Sequence, residues 1–382
     1  MRPLDGLLVL DFSQYLSGPS ATLRLADLGA RVIKIEKPGG DDCRQVYLSD
    51  CVLDAESTLF HAINRDKESL CVDLKQPDQR EALNTLIARA DILVCNFRPG
   101  VMQRLGLSYS QVNAINPRIV YGEISGYGPT GPWVNRPGQD LLLQAVSGLT
   151  TLSGNRDDGP VAMGVPVADI YTGAQLVQGI LAAIFEREFT GLGSLVQISM
   201  LEAMMDFQFE PLTIALTDPS QRIERAGNHG AHALVAGAYG LYESSDGWLA
   251  ISMGRISDLA RLLECSALEP FTDQKLAFTA RDDIKLVLAA HLKTASTQHW
   301  LSLLEPADIW CAEVLDWPQL MAHEGFKALD MLQSLPLGSG HMTTSRCPIR
   351  IDDELLWGKT AAPRVDQHGQ ALRQEFNLRA LT

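Results

Sequence analysis

The amino-acid sequence predicts an α/β fold, with a large domain built on a parallel sheet and a smaller α+β domain. Three observations carry this. Short aliphatic runs alternate with stretches of helical period along the first half of the chain, the spacing of βαβ units. Near residue 220 the pattern changes to paired short strands followed by helices. The chain also has 382 residues, 46% hydrophobic and 20% charged, which is material for more than one core.

Residues 7–10 form the first strand, and the chain passes Ser17-Gly18-Pro19 into a helix over 21–28. Residues 31–36 form a second strand that stops at the Pro38-Gly39-Gly40 turn. A strand over 70–74, a helix over 77–89 and a strand over 91–95 follow. Residues 101–105 and 108–115 are helical, and 118–124 is a fifth strand. After a Gly/Pro loop over 126–138, a helix covers 140–149. A long apolar-periodic helix spans 170–188 despite Gly173 and Gly179, then a strand over 196–200 and a helix over 201–216. A polar link occupies 220–225. Beyond it, 238–242 and 248–253 pair antiparallel around an Asp246-Gly247 turn, with helices at 256–265, 281–294 and 297–304. From about 335 the chain returns to loop and strand, with a final helix over 367–377. The expected domains are 1–219, a small domain over 220–330, and a C-terminal return of 331–382 to the large one.

Composition excludes several functions. A net charge of −14 is a poor match for nucleic acid, which needs a basic face. The charge is uneven: residues 1–140 hold 15 Lys/Arg and 17 Asp/Glu, residues 141–382 hold 17 and 29. The seven cysteines are odd in number and none forms a C-x-x-C pair, so neither a disulfide framework nor a zinc knuckle is expected. No histidines stand in H-x-x-x-H spacing, and no metal is expected. Residues 7–10 are too short for a secretory signal, and no stretch reads as the ~18 apolar residues of a membrane span. The expected compartment is the cytoplasm.

One motif is a decoy. Gly126-Tyr127-Gly128-Pro129-Thr130-Gly131 spells the dinucleotide fingerprint, which must open a helix. Pro129 and Pro132 remove backbone N–H groups there, and the motif lies far from the first strand. It reads as a plain loop, so no NAD or flavin is expected. There is no phosphate loop and no nucleophile elbow.

One acid stands out. Asp169 is the only charged residue between Asp158 and Glu186, where an extended segment meets an apolar helix. Its plain role is an N-cap, worth ~1 kcal/mol. Amides and the helix dipole would also keep it ionised, and the ionised form is a nucleophile.

At this point a resemblance enters. Pro3-Leu4-Asp5-Gly6, Leu25-Ala26-Asp27-Leu28-Gly29-Ala30, Asn64-Arg65-Asp66-Lys67-Glu68-Ser69, Asn96-Phe97-Arg98-Pro99-Gly100 and the 126–132 loop stand in an order that resembles the class III CoA-transferases, the CaiB/BaiF family. Ala362-Pro363 and Asp366-Gln367-His368 resemble its closing signature, with Asp366 where Gly is usual. The resemblance implies a Rossmann-like large domain, a small α+β domain and two interlocked chains, hence a homodimer. It implies Asp169 as the nucleophile. Asp169 would attack an acyl-CoA thioester to give an anhydride and then an aspartyl-CoA thioester, before CoA passes to an acceptor carboxylate. It brings CoA contacts near Lys37, Leu74, Lys75, Asn96, Phe97 and Arg104, with Leu16 and Ser17 lining the thioester. The plain alternatives are solvated charges for Lys37, Lys75 and Arg104, a turn for Asn96 and a core aromatic for Phe97. Tyr127, Gln139 and Asp140 are candidates for the acceptor pocket.

Departures from the family sharpen the expectation. The related racemases have a His before an Asp where this chain has Gln139-Asp140, and Gln cannot shuttle a proton. Oxalate-using members have a Gly-rich loop where this chain has Ser252-Met253-Gly254-Arg255-Ile256-Ser257, and Gln in the position of Leu16. The partners expected are acyl-CoA and a small carboxylic acid, with no nucleic acid and no membrane. The rivals are an acyl-CoA racemase or isomerase and a non-catalytic CoA-binding protein.

Overall fold

Six strands make one parallel sheet: β1 (Leu8–Asp11), β2 (Arg31–Glu36), β3 (Lys67–Cys71), β4 (Ile92–Cys95), β5 (Val120–Ser125) and β6 (Leu195–Ser199). They lie in the order β3-β2-β1-β4-β5-β6, with Leu10 opposite both Ile33 and Leu93. The structure is a computed structural model that describes residues 1–49, 51–220 and 223–378. Of the expected polar link, Gln221 and Arg222 lie outside the described residues. The central strands are buried on both faces, as their continuous aliphatic runs require.

Three helices matter for the site: α1 (Ser17–Asp27), α2 (Asp140–Val146) and α3 (Val167–Thr190). α3 buries Thr172, Gly173, Leu176, Val177, Ile180 and Ala183. Leu176 and Ile180 pack over Gly122 of β5, and Gly173 meets α1. A Cβ at Gly173 would lie 2.5 Å from Ser20 Oγ and 2.6 Å from the Ser17 carbonyl oxygen, so the two helices approach through that missing methyl. α3 also amends the sequence expectation about membrane spans. Its 24 residues have a window of mean hydropathy 1.3, long and apolar enough to cross a membrane. Asp169, Gly173 and two glutamines interrupt the run, which hid it from a count of consecutive apolar residues.

Contacts divide the chain into two compact units. The first holds Met1–Leu143, Pro166–Phe207 and Asp330–Thr382; the second holds Gln144–Val165 and Gln208–Leu329. The first has its core around Leu10, Ile33, Leu70, Leu93 and Tyr121. The C-terminal segment joins that core through Leu372, Phe376 and Leu378. It also covers the outer edge of the sheet: the Cys71 N–H donates to Asp366 (2.8 Å) and the Ser69 N–H to His368 Nδ1 (3.2 Å). Asp366 holds a left-handed φ of 56°, the reason Gly suits this position, and Arg373 pairs with its carboxylate at 3.0 Å. An edge capped in this way cannot recruit another strand.

In the second unit, β7 (Gly240–Glu243), β8 (Trp248–Ile251) and β9 (Cys311–Glu313) form an antiparallel sheet in the order β9-β8-β7. The Asp246-Gly247 turn is as expected, with the Ser244 N–H donating to the Gly247 carbonyl at 2.9 Å. Tyr242, Leu249, Ile284, Leu288 and Trp300 fill the core of this unit.

Two elements differ from the sequence reading. The third strand is Lys67–Cys71 rather than 70–74. It begins in Lys67 and Ser69, whose side chains enter a buried polar cluster, so no apolar alternation marked it. The helix expected over 201–216 breaks at Gln208 into Met200–Phe207 and Phe209–Thr217.

Candidate active site

In the β3-β2-β1-β4-β5-β6 order the chain reverses direction across the sheet between β1 and β4, and a crevice at the carboxyl ends of those strands is the preferred ligand position. The loop after β1 and the loop after β4 meet there. Asn96 donates through Nδ2 to the Gln14 carbonyl (2.7 Å) and accepts the Gln14 N–H (2.8 Å). The same amide reaches Ser17 Oγ at 3.3 Å. Asn96 is thus a loop clasp as well as a ligand candidate.

A buried polar cluster supports this crevice. Asp11 ends β1 and is fully buried. It accepts from the Ser13 N–H (3.0 Å), the Ser13 hydroxyl, Thr22 Oγ1 (2.6 Å) and Lys67 Nζ (3.0 Å). Burial alone would raise its pKa, yet Lys67, Lys34 and the two hydroxyls hold it well below the usual carboxylate range. Lys67 also donates to the Pro19 carbonyl (3.0 Å), Thr22 Oγ1 (2.8 Å) and Asn64 Oδ1 (2.9 Å), and Lys34 to the Ser13 carbonyl (2.9 Å). Together these bonds fix residues 13–22, including the first turn of α1. No single-sequence pattern singled out Asp11, Ser13, Thr22 and Lys34 as members of a site.

Asp169 sits in the first turn of α3, three residues past its Pro166 cap. The expected N-cap role therefore passes to Asp140, whose carboxylate accepts the Ala168 N–H (2.7 Å) and the Asp169 N–H (3.3 Å). Only the fold brings Asp140 to that helix end. The Asp169 carboxylate instead faces Ser17, whose hydroxyl and backbone N–H act to lower its pKa. Its pKa is pushed up to about 6, first by burial and then by Asp140, with both Ser17 donors opposing. Helix end and amides were expected to keep it firmly ionised; burial and a second carboxylate outweigh them. The group is poised: still ionised at neutral pH, and more basic than a solvated aspartate.

Of the remaining candidates, Lys37, Leu74, Lys75, Phe97 and Tyr127 follow the carboxyl ends of sheet strands. Lys37 follows β2, is exposed, and pairs with Asp42 at 2.6 Å. Leu74 follows β3 and Phe97 follows β4, both half-buried against the core. Lys75 and Arg104 are exposed, and neither charged group has a carboxylate partner among the described residues. Leu16 is buried beside Cys43, Phe60 and Ile63, so its side chain is packing and its backbone precedes Ser17. Tyr127 stands edge-on to Trp133 (5.8 Å between centroids), with its hydroxyl 3.4 Å from the Pro137 carbonyl. Gln139 is exposed. Hydrogen bonds join Ser17 to Asn96 and Asp140 to the first turn of α3, and Ser17 faces the Asp169 carboxylate; no bond among the described residues ties Tyr127 or Gln139 to Asp169.

The glycine decoy is a loop. No helix opens at Gly131, and the next one begins at Asp140. Gly126 and Gly138 close its base backbone to backbone, where a Cβ on either would meet the other's Cα at 2.8 or 2.6 Å. Among the described residues, no group of three or more His, Cys, Asp or Glu is arranged to hold a metal ion.

Comparison with known proteins gives the family. Residues 4–369 match the family described as CoA-transferase family III. The chain is 33% identical over 387 residues to an acetyl-CoA:oxalate CoA-transferase of Acetobacter aceti, covering 98% of this chain and 96% of that protein. It is 33% identical over 316 residues to the succinyl-CoA:glutarate CoA-transferase of Mus musculus, covering 81% and 71%. The crystal structure of a CaiB/BaiF family protein from Brucella suis superposes with a TM-score of 0.84 at 29% identity, covering 98% of this chain and 99% of that one. The chain belongs to CoA-transferase family III.

Proposed function

We propose that this protein moves CoA from an acyl-CoA thioester to a free carboxylic acid, with Asp169 as the nucleophile. The observation that carries the reading is the Asp169 carboxylate, in the first turn of α3, facing Ser17 at the start of α1 and more basic than in water. The Asp169 oxygen attacks the thioester carbonyl, and CoA leaves as thiolate, giving an acyl-aspartyl anhydride. The thiolate attacks the aspartyl carbonyl, releasing the donor acid and leaving an aspartyl-CoA thioester. The acceptor carboxylate displaces CoA to form a second anhydride. CoA then attacks the acceptor carbonyl and frees Asp169. Each step exchanges one acyl bond for another, so the thioester's free energy is conserved if water stays out. The Ser17 N–H is suited to stabilise the oxyanion as each tetrahedral centre forms.

In this reading Lys75 and Arg104, with no carboxylate partner among the described residues, and Lys37 bind the phosphates of CoA, while Leu74 and Phe97 flank its adenine. Tyr127, Gln139 and Asp140 face the acids. The first unit is then the CoA-binding domain, and the working location is the cytoplasm. Exposed apolar side chains support a homodimer: Phe185, Phe189 and Leu192 are 68%, 76% and 59% exposed. Gln139 cannot shuttle a proton, which argues against racemisation.

The test is Asp169→Ala with an acyl-CoA donor and a panel of carboxylic acids, followed by mass spectrometry. Exchange should be lost while CoA binding and the fold survive. Hydroxylamine added to the native enzyme with donor should convert Asp169 to a hydroxamate. Full exchange in the variant would sink the mechanism. Deuterium uptake at the α-carbon without a second acid would favour the racemase instead.

A further inference from the structure

The second unit contains a cavity of about 750 Å³, one wall of which is the 253–257 part of the loop that stands where oxalate-using members are Gly-rich. Its walls are largely apolar: Met253, Ile256, Ala277, Phe278 and Trp310 line it. The polar lining comes from Ser257, Thr272 and Gln274, and Arg255 is the one charged residue in the lining. The Arg255 guanidinium is exposed and has no ion pair or hydrogen bond among the described residues.

This unit carries 10 Lys/Arg against 18 Asp/Glu, and among the described residues Arg255, Arg261 and Lys275 have charged groups without an ion pair or hydrogen bond, of which Arg255 alone lines the cavity. Arg156 pairs with Asp282, Lys293 with Glu243 and Lys327 with Glu324. Arg281 and Lys285 are buried on backbone carbonyls. An unpaired guanidinium at an apolar cavity, in so acidic a unit, is a recognition element for one carboxylate.

The walls are held from behind. The Gly237 N–H donates to the Ala277 carbonyl (2.6 Å), tying the 235–237 wall to the 277–278 wall. The Ser252 N–H donates to the Trp310 carbonyl (2.8 Å), tying the Arg255 loop to the tryptophan. The guanidinium carbon of the buried Arg281 lies 4.9 Å from the centroid of the half-exposed Phe278 ring and favours its orientation. A largely apolar cavity with one charged residue in its lining is the usual form of a small-molecule site.

We infer that this cavity binds a monocarboxylic acid with an aromatic or branched apolar body, its carboxylate on Arg255 and its body against Phe278, Ile256 and Trp310. The choice of an acid as ligand rests on the CoA-transferase reading. Size and charge select within that class. Oxalate would leave most of the cavity unfilled. A longer dicarboxylate would place its second charge, unpaired, against apolar walls, which disfavours it.

The test is calorimetric titration of the full chain, without CoA, using 3-phenylpropionate, its neutral amide, oxalate and glutarate. The phenyl acid should bind at least tenfold more tightly than the amide or either diacid. Arg255→Gln should weaken it about tenfold, with the melting temperature unchanged. Phe278→Ala should weaken acid and amide alike. Asp169→Asn should bind the phenyl acid as the native protein does, so loss of exchange chemistry and loss of this site read separately. Equal binding by Arg255→Gln, preference for a diacid, or no heat with the phenyl acid would each overturn the proposal.

Discussion

Asp169 shows how one residue can be read twice. Its isolation ahead of an apolar helix is visible in the sequence, and so is the plain alternative of a cap. The fold assigns the cap to Asp140, which leaves the Asp169 carboxylate for Ser17. This has a pH consequence. Its pKa is raised from 3.8 to about 6, so the protonated form is favoured in the folded state. The stability it contributes is full below about pH 4 and is lost as pH rises through about 6. At neutral pH the ionised carboxylate should cost on the order of 3 kcal/mol. Asp169→Asn should therefore raise the urea midpoint at pH 7, with no gain at pH 4. Exchange in the native enzyme should rise with pH through about 6 and then level off, since the nucleophile must be ionised. Asp140 divides into two functions by substitution. Asp140→Asn keeps an oxygen for the Ala168 N–H but removes the charge, so the acid limb of the pH profile should move to lower pH. Asp140→Ala also loses the cap and should cost about 1 kcal/mol in chemical denaturation.

At the scale of elements, the crevice is made by α1 and α3 meeting through Gly173. In a solvated helix Gly→Ala gains about 1 kcal/mol. Here the new methyl would overlap Ser20 Oγ and the Ser17 carbonyl, so the sign reverses. Gly173→Ala should destabilise by about 1–3 kcal/mol in thermal or urea unfolding. It should also slow exchange more than it weakens CoA binding, because the backbone that must yield carries the Ser17 donor. β3 teaches the complementary lesson. Lys67 and Ser69 read as polar loop residues, yet they start a strand, because their side chains end on Asp11 and Glu36 in a buried cluster. Hydrophobic periodicity finds strands that face a core of aliphatic atoms. It misses one whose first residues face buried charge.

For the whole molecule, the net charge of −14 is a poor match for nucleic acid and poses a question for CoA, itself a polyanion. The proposed phosphate contacts lie in residues 1–140, which are nearly neutral. Lys75→Ala and Arg104→Ala should each weaken CoA binding by about 0.5–1 kcal/mol, roughly two- to fivefold, measured by titration at low salt. The loss should shrink at high ionic strength. Light scattering should give twice the chain mass; a monomer would contradict the dimer.

The sequence by itself determined the parallel-sheet class, the change of character near residue 220, the loop nature of the glycine decoy and the acid worth watching. These depend on local pattern: strand and helix periods, prolines that remove N–H groups, and one charge in an apolar stretch. Only the tertiary structure decided which carboxylate caps α3, which donors hold Asp169, and that Asp11 and Lys67 lie together beneath the first turn of α1. It also revealed the lone cation at the cavity of the second unit. Asp11 and Lys67, like Asp140 and Ala168, are far apart along the chain, and their pairing depends on burial. A charge enters an interior only where the fold supplies its partners, and a linear pattern does not encode those distances.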